Sequence, residues 1–302
     1  MHRELIPKLG MEQDMNEHLI AITGATGVTG QHLTTRLKAH SLKTRYLVRD
    51  AERARGILGE NVDLVTADLD DRISLDRALE GVHTLYLNSG HSPVLEEQQT
   101  NAIEAAVNAG CARIVKLSGN IDSPAPIPEA HKALEQKIVN CGTRYTFLRP
   151  NFYMTNLLYV AAGLKEGDRF TSAIPRDVTI SMTDPRDVAD LTATILAEDD
   201  KHDGQGYYQT GAALSLDQAA ETFSKVLNRD IRYDTVDVDI WEDMVTKRGL
   251  PSWLIEHQVK MIGFAANGAY SYVTNATQDI TGNTPRTLET FITDHAATFT
   301  PA

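Results

Sequence analysis

Leu19-Ile20-Ala21-Ile22-Thr23-Gly24-Ala25-Thr26-Gly27-Val28-Thr29-Gly30 reads as a short apolar strand running straight into a glycine turn that opens a helix. Val28, Leu33 and Leu37 continue it as one apolar face of that helix. The first turn of a helix carries N–H groups without intrahelical partners and the positive end of the macrodipole, so a diphosphate fits there. Gly24 permits the tight turn, Gly27 lets backbone approach a pyrophosphate, and Gly30 lets helix pack close to strand. The spacing is G-x-x-G-x-x-G rather than the commoner G-x-G-x-x-G. The expected cradle is Gly24, Ala25, Thr26, Gly27, Val28, Thr29 and Gly30.

Outward from this turn, strand and helix signals alternate as far as residue 150. Lys43–Val48, Val62–Thr66, Thr84–Asn88, Arg113–Leu117 and Arg144–Leu148 are strand-like, and Val28–Ala39, Ala51–Leu58, Ser74–Leu79, Gln98–Ala109 and His131–Asn140 are helical. Such alternation predicts an α/β fold, a doubly wound parallel sheet of the Rossmann type, over residues 18–157. Residues 1–17 read as a disordered tail or an over-long start. The remainder, 158–302, is expected to add a strand and a helix to the core and to form a smaller C-terminal lobe on the substrate side. Its signals are a strand at Val178–Met182, a helix at Arg186–Leu196 and a strand at Gly206–Thr210. A capping box at Ser215-x-x-Gln218 opens a helix to Leu227, and Ile231–Val236 is again strand-like. Ile240–Ala266 is helical with a break near Gly249-Leu250-Pro251, and Arg286–Phe299 reads as a final helix.

The net charge of −12 over 302 residues leaves no basic surplus for gripping nucleic acid. No run approaches the roughly 18–20 apolar residues that span a bilayer. Cys111 and Cys141 do not make a disulfide framework and read as buried thiols in a reducing cytoplasm. No metal is expected. The acidic, moderately apolar surface permits a homodimer.

Ligands on such a sheet sit beyond the carboxyl ends of its strands. After the second strand comes Arg49, with Arg53 and Arg55 nearby. A cation there pairs with a 2′-phosphate, which predicts NADP(H) in preference to NAD(H); Asp50 is the competing ribose acceptor. After the third strand, Asp68 is placed to accept from an adenine amino group with Leu69 against the ring, or else to cap a helix. Asn88 and Ser89 end the fourth strand, near the expected nicotinamide ribose. Ser118 ends the fifth, and Pro150, Asn151 and Phe152 end the sixth, where backbone groups are placed to bind the carboxamide. His131 and Glu135 lie four apart and share a helix face, so that the carboxylate is placed to orient the imidazole as a proton donor; Lys132 is an alternative holder of the nicotinamide ribose. The expected approach to this helix is a stiff loop carrying Pro124, Pro126 and Pro128. Phe152, Tyr153, Trp241, Trp253 and Phe264 are candidates for the wall of a flat pocket, or plain core.

Gly24–Gly30, Leu47-Val48-Arg49, Ala67-Asp68-Leu69, the run from Leu148 to Asn156 and Thr281-Gly282-Asn283-Thr284-Pro285 resemble the NmrA-like branch of atypical short-chain dehydrogenases. His131 with Glu135 is similar to the His-x-x-x-Glu of quinone oxidoreductases and triphenylmethane reductases in that branch. Its redox-sensor members tend to carry a lysine near that place, and this chain has both His131 and Lys132. In many short-chain dehydrogenases a serine at the Ser118 position polarises the substrate carbonyl. No tyrosine is followed by a lysine four residues on. The Tyr-x-x-x-Lys route to ketone reduction is therefore absent. The resemblance implies an NADPH-dependent oxidoreductase acting on a small aromatic or conjugated acceptor such as a quinone. The alternative is an NADP(H)-sensing regulator that controls a partner protein without turnover.

Overall fold

Ile20–Ile22, three consecutive buried residues, form β1 at the heart of a seven-stranded sheet. The computed structural model describes residues 18–301. The reading of 1–17 as a tail lies outside the described residues. The strands are β1, β2 (Thr44–Val48), β3 (Asp63–Thr66), β4 (Thr84–Leu87), β5 (Arg113–Leu117), β6 (Arg144–Pro150), β7 (Phe152–Tyr153), β8 (Arg169–Ser172), β9 (Thr179–Thr183), β10 (Gln205–Gln209), β11 (Ala213–Ser215) and β12 (Arg232–Thr235). The large sheet has the order β10-β6-β5-β4-β1-β2-β3. β1 pairs in parallel with both β2 and β4, β2 with β3, and β4 with β5. The order 3-2-1-4-5-6, with β10 added at one edge, is the expected doubly wound arrangement, with its switch point between β1 and β4.

The helices that follow the first five strands are α1 (Val28–Ala39), α2 (Ala51–Leu58), α3 (Arg72–Ala78), α4 (Leu95–Asn108) and α5 (Pro126–Asn140). Asp50 and Asp71 start α2 and α3 by accepting from first-turn N–H groups. α1 has no side-chain cap, because Gly27 occupies that position. Beyond β6 come α6 (Ala161–Gly167), α7 (Pro185–Ala197), α8 (Leu216–Leu227), α9 (Val238–Lys247), α10 (Ser252–Ala266), α11 (Ala276–Thr281), α12 (Leu288–Asp294) and α13 (Ala296–Phe299). The capping box of Ser215 and Gln218 opens α8 as expected.

Two compact units are present. One comprises residues up to Leu117, Ala133–Phe147 and Ala189–Gly206; the other comprises Ser118–Lys132, Leu148–Val188 and Tyr207 onward. The first buries an aliphatic core that includes Ala21, Leu85, Ile103, Ile114 and Ile138. The second buries a more aromatic core that includes Phe170, Phe223, Tyr233, Phe291 and Phe299. In the second unit β9 lies between β11 and β7, antiparallel to one and parallel to the other, and β8 pairs with β12.

Several local expectations change. α5 begins at Pro126, not His131, so Pro126 and Pro128 belong to its first turn instead of a loop. Proline is tolerated there because first-turn N–H groups lack intrahelical acceptors anyway. Val28 is 54% exposed, so the apolar face of α1 rests on the fully buried Leu33 and Leu37 without it. The final helical stretch is split at His295 into α12 and α13. The break between α9 and α10 falls at Gly249, whose positive φ ends the first of them.

Candidate functional site

The register Ile22↔Tyr46 and Ile22↔Tyr86 brings three strand ends to one sheet edge: the glycine turn after β1, Arg49 after β2 and Asn88 after β4. Thr23 locks two of them together. Its hydroxyl lies 2.7 Å from the Asn88 carbonyl, which accepts from it, while the Asn88 N–H donates to Thr23 Oγ1 at 2.8 Å.

The three glycines then divide the work. Gly24 has a φ of +69°, and a Cβ there would lie 2.8 Å from the Asn88 carbonyl oxygen. A Cβ on Gly30 would lie 2.6 Å from Ala25 Cα, too close for any side chain. Both are fixed by the protein's own packing. Gly27 is exposed, and a Cβ there would meet only the Gly24 carbonyl oxygen, at 3.3 Å. The Gly27 N–H itself donates to the Gly24 carbonyl at 3.1 Å, but the open side of this residue, the first turn of α1 without a side-chain cap and the exposed Val28 together leave room for a phosphate pair at the helix N-terminus. Within the turn, Ala25 and Thr29 are buried and Thr26 is half-buried.

Arg49 and Arg53 are exposed and make no ion pair among the described residues. Asp50 is engaged: its carboxylate accepts from the Arg53 N–H at 2.9 Å as the cap of α2. That gives the competing acceptor a structural task and leaves Arg49 as the group presented beyond β2. Asp68 accepts from the Asp70 N–H at 3.1 Å in a local turn, and its own N–H donates to Ser74 Oγ at 3.0 Å. Leu69 packs at the margin of the aliphatic core.

Ser89 follows β4. Its Oγ accepts from Gln99 Nε2 at 2.8 Å, and Gln99 Oε1 accepts from Lys116 Nζ at 2.6 Å. Sequence reasoning passed over Gln99 and Lys116. The available signal was a lysine among the apolar residues Ile114, Val115 and Leu117 of a strand that ends just before Ser118.

In the second unit, Ser118 is buried, and its Oγ has no hydrogen-bond partner among the described residues. A buried hydroxyl in that state points to a ligand or a water. His131 is also buried, and a Cβ built on Gly119 would lie 3.8 Å from its Cδ2, so the imidazole stands beside the segment leaving β5. Glu135, one turn along α5, is buried in the first unit, where its charge acts on Lys116. Lys132 is exposed. Asn151 serves the framework. Its Nδ2 donates to the carbonyls of Ser181 and Tyr270, each at 3.1 Å, and Oδ1 accepts from Asn120 at 3.4 Å. Pro150 ends β6, and Phe152 packs against the aromatic core from β7.

Asn120 brings in a residue that the sequence did not suggest. Its Nδ2 donates to Tyr272 Oη at 3.2 Å, while Tyr208 donates to Asp122 at 2.8 Å and stands edge-on to the Tyr272 ring. Burial raises the Tyr272 phenol above its usual range. It is thus a hydrogen-bond donor in its neutral form. A separate cluster lies before β4, where His83 stacks on His18 at 3.7 Å with Asp199 alongside. The Arg144 guanidinium stands 3.4 Å from both His83 Nε2 and Asp199, a cation where a metal ion would have to compete with it.

A doubly wound sheet with a glycine turn open at its switch-point edge defines the dinucleotide-binding class of α/β folds. The NmrA-like family model matches residues 16–292, and the chain belongs to that family. It is 28% identical to an NAD(P)H azoreductase of Xenophilus azovorans, over 93% of this chain and 99% of the relative. It is 30% identical to a (4-alkanoyl-5-oxo-2,5-dihydrofuran-3-yl)methyl phosphate reductase of Streptomyces griseus, over 94% of this chain and 100% of the relative. Among solved structures, an NADPH-dependent quinone oxidoreductase of Escherichia coli complexed with NADPH superposes with a TM-score of 0.85 at 26% identity, covering 92% of this chain and 99% of that one.

Proposed function

We propose that this protein is an oxidoreductase that uses NADPH in preference to NADH and reduces quinone-like or other conjugated acceptors. The observation that carries the reading is the open Gly27 turn beside an exposed Arg49 with no ion pair among the described residues, on one sheet edge. The names of the relatives, which cover azo, butenolide and quinone reduction, favour the same chemistry. When bound, the nicotinamide supplies the hydride.

Gly24 to Gly30 hold the pyrophosphate on backbone N–H groups. Arg49, with Arg53 behind it, pairs with the 2′-phosphate. Asp68 and Leu69 meet the adenine. Asn88, Ser89 and Ser118 contact the ribose and nicotinamide, and backbone groups at Pro150 and Phe152 take the carboxamide. His131 gives a proton to the reduced acceptor, with Lys132 against the ribose. An acceptor that delocalises the incoming charge needs less acid catalysis, which suits a chain without a Tyr-x-x-x-Lys dyad.

The test pairs calorimetry with turnover. NADPH binds more tightly than NADH, and NADPH is oxidised in the presence of quinones or azo and triphenylmethane dyes. His131→Ala lowers turnover by about 100-fold or more, the range for general acid catalysis, with the NADPH dissociation constant near the parent value. Tight NADPH binding without turnover on any acceptor would instead make the protein a nucleotide sensor.

A further inference from the structure

Lys116 is an anomaly of placement. All five residues of β5 are buried, and Lys116 is fully so. An aliphatic side chain there would avoid the desolvation of an ammonium. Arg113, the other cation of the strand, is held by the Ile195 carbonyl at 3.1 Å, Thr146 Oγ1 at 3.0 Å and Asp203 at 3.3 Å. Lys116 instead heads a chain that leads to the ligand edge of the sheet: Nζ to Gln99 Oε1 at 2.6 Å, then Gln99 Nε2 to Ser89 Oγ at 2.8 Å. Gln99 is also fully buried.

The chain has a direction. An ammonium donates and cannot accept, so Gln99 must turn its carbonyl oxygen toward Lys116. Its amide N–H then faces Ser89, whose oxygen accepts. The single Ser89 proton is left to be given elsewhere, and its protein acceptor is the neighbouring Gly90 carbonyl at a long 3.3 Å. We propose that Lys116 and Gln99 are positioning residues that hold the Ser89 hydroxyl as an outward hydrogen-bond donor to a ribose hydroxyl oxygen of the bound nicotinamide nucleotide. This rests on the oxidoreductase reading above.

The chain also has a switch. Burial pushes the Lys116 ammonium down to about 7, against the opposing pull of Glu135. α4 contributes the uncharged Gln99 and α5 contributes Glu135; the next titratable residue on the buried face of α5 is His131, one turn earlier. A neutral amine can accept as well as donate, so above neutrality the Gln99 amide is free to turn and Ser89 loses its fixed polarity.

The experiment measures NADPH affinity by calorimetry from pH 6 to 9, with lysine ¹³C NMR on the same samples. Gln99→Glu keeps the shape and pairs with Lys116, but it has no N–H for Ser89, whose proton turns inward. It weakens NADPH binding about 3- to 10-fold at pH 6, as Ser89→Ala does, the range for one lost hydrogen bond. Lys116→Met gives a similar loss and flattens the pH dependence, and Lys116→Met combined with Ser89→Ala is no worse than Ser89→Ala alone. The NMR signal of Lys116 titrates near neutrality in the parent and higher in Gln99→Glu. A parent that binds NADPH while Gln99→Glu and Lys116→Met bind it equally well overturns the relay alone, as does a Lys116 that titrates in the ordinary lysine range. A parent that binds no pyridine nucleotide overturns the oxidoreductase reading and removes the relay's ligand with it.

Discussion

The turns after β1 and β4 leave adjacent parallel strands, yet they are built in opposite ways. After β1 the chain leaves things open: Gly27 and Val28 face solvent, α1 starts without a side-chain cap, and Arg49 beyond the neighbouring β2 is exposed. After β4 the polar groups are already joined, Ser89 to Gln99 to a fully buried Lys116. The open turn costs the free protein little, since water solvates its N–H groups and its cation until a ligand replaces the water. The wired edge costs stability with or without a ligand, because the buried ammonium is desolvated in both states, most of all below pH 7. Affinity should therefore be concentrated at the first edge, and geometry and pH response at the second.

The sharpest way to break this contrast is Gly27→Val. Its Cβ meets one protein atom at 3.3 Å and otherwise points into the open side of the turn. NADPH affinity should fall more than about 100-fold, since the branched side chain takes the place of the phosphates. The thermal melt should move by only a few degrees. A large loss of stability would place Gly27 with Gly24 and Gly30 as a packing glycine. Next is Arg49→Ala, which removes one charge-assisted contact worth about 1.5–3 kcal/mol, or roughly 10- to 100-fold in the NADPH dissociation constant. NADH binding should not change, and an equal loss for both nucleotides would remove the 2′-phosphate assignment.

At the wired edge the readout is stability. Below pH 7 folded Lys116 carries a buried charge, and Lys116→Met removes its desolvation together with the smaller opposing pull of Glu135. The group's pKa falls from 10.5 in the unfolded chain to about 7 when folded. Between those values the folded parent binds fewer protons than the unfolded chain, so its stability rises with pH. The advantage of the variant should therefore be largest near pH 6 and shrink by about 1.4 kcal/mol per pH unit above 7. Urea melts at pH 6, 7.5 and 9 measure it, and an advantage independent of pH would mean that Lys116 is not titrating in this range.

The same contrast explains what the sequence disclosed. The first unit obeys local rules: β-branched and aliphatic runs alternate with amphipathic helices, and Gly24 to Gly30 sit where the fold needs them. Its doubly wound sheet was legible for that reason. Lys116 and Gln99 were not, because their meaning lies in a contact between β5 and α4, elements 17 residues apart in sequence at those positions. The second unit depends still more on distant partners. β7 has two residues, β11 has three, and both are defined by pairing with β9. Asn151 follows a strand, which marks its place at the sheet edge, but no local pattern marks that its amide is held by Ser181 and Tyr270, 30 and 119 residues away. Tyr272 lies in a segment with no helix or strand of its own, so no period marked it.

Asp50→Ala, the smallest effect, separates the two charged neighbours at the open edge. Arg49 and Asp50 are adjacent and both exposed, and from sequence either was suited to the adenosine ribose. The structure gives Asp50 a helix to cap, through the Arg53 N–H at 2.9 Å. Losing that cap should cost about 1 kcal/mol of stability. NADPH affinity should stay at the parent value or rise slightly, because a negative charge beside the phosphate site is gone. NADH gives the discriminating measurement. If Asp50 also accepts from a ribose hydroxyl, NADH binding must weaken in Asp50→Ala by more than NADPH binding does. If it only caps α2, the preference for NADPH is unchanged or widened, and specificity at this edge belongs to Arg49.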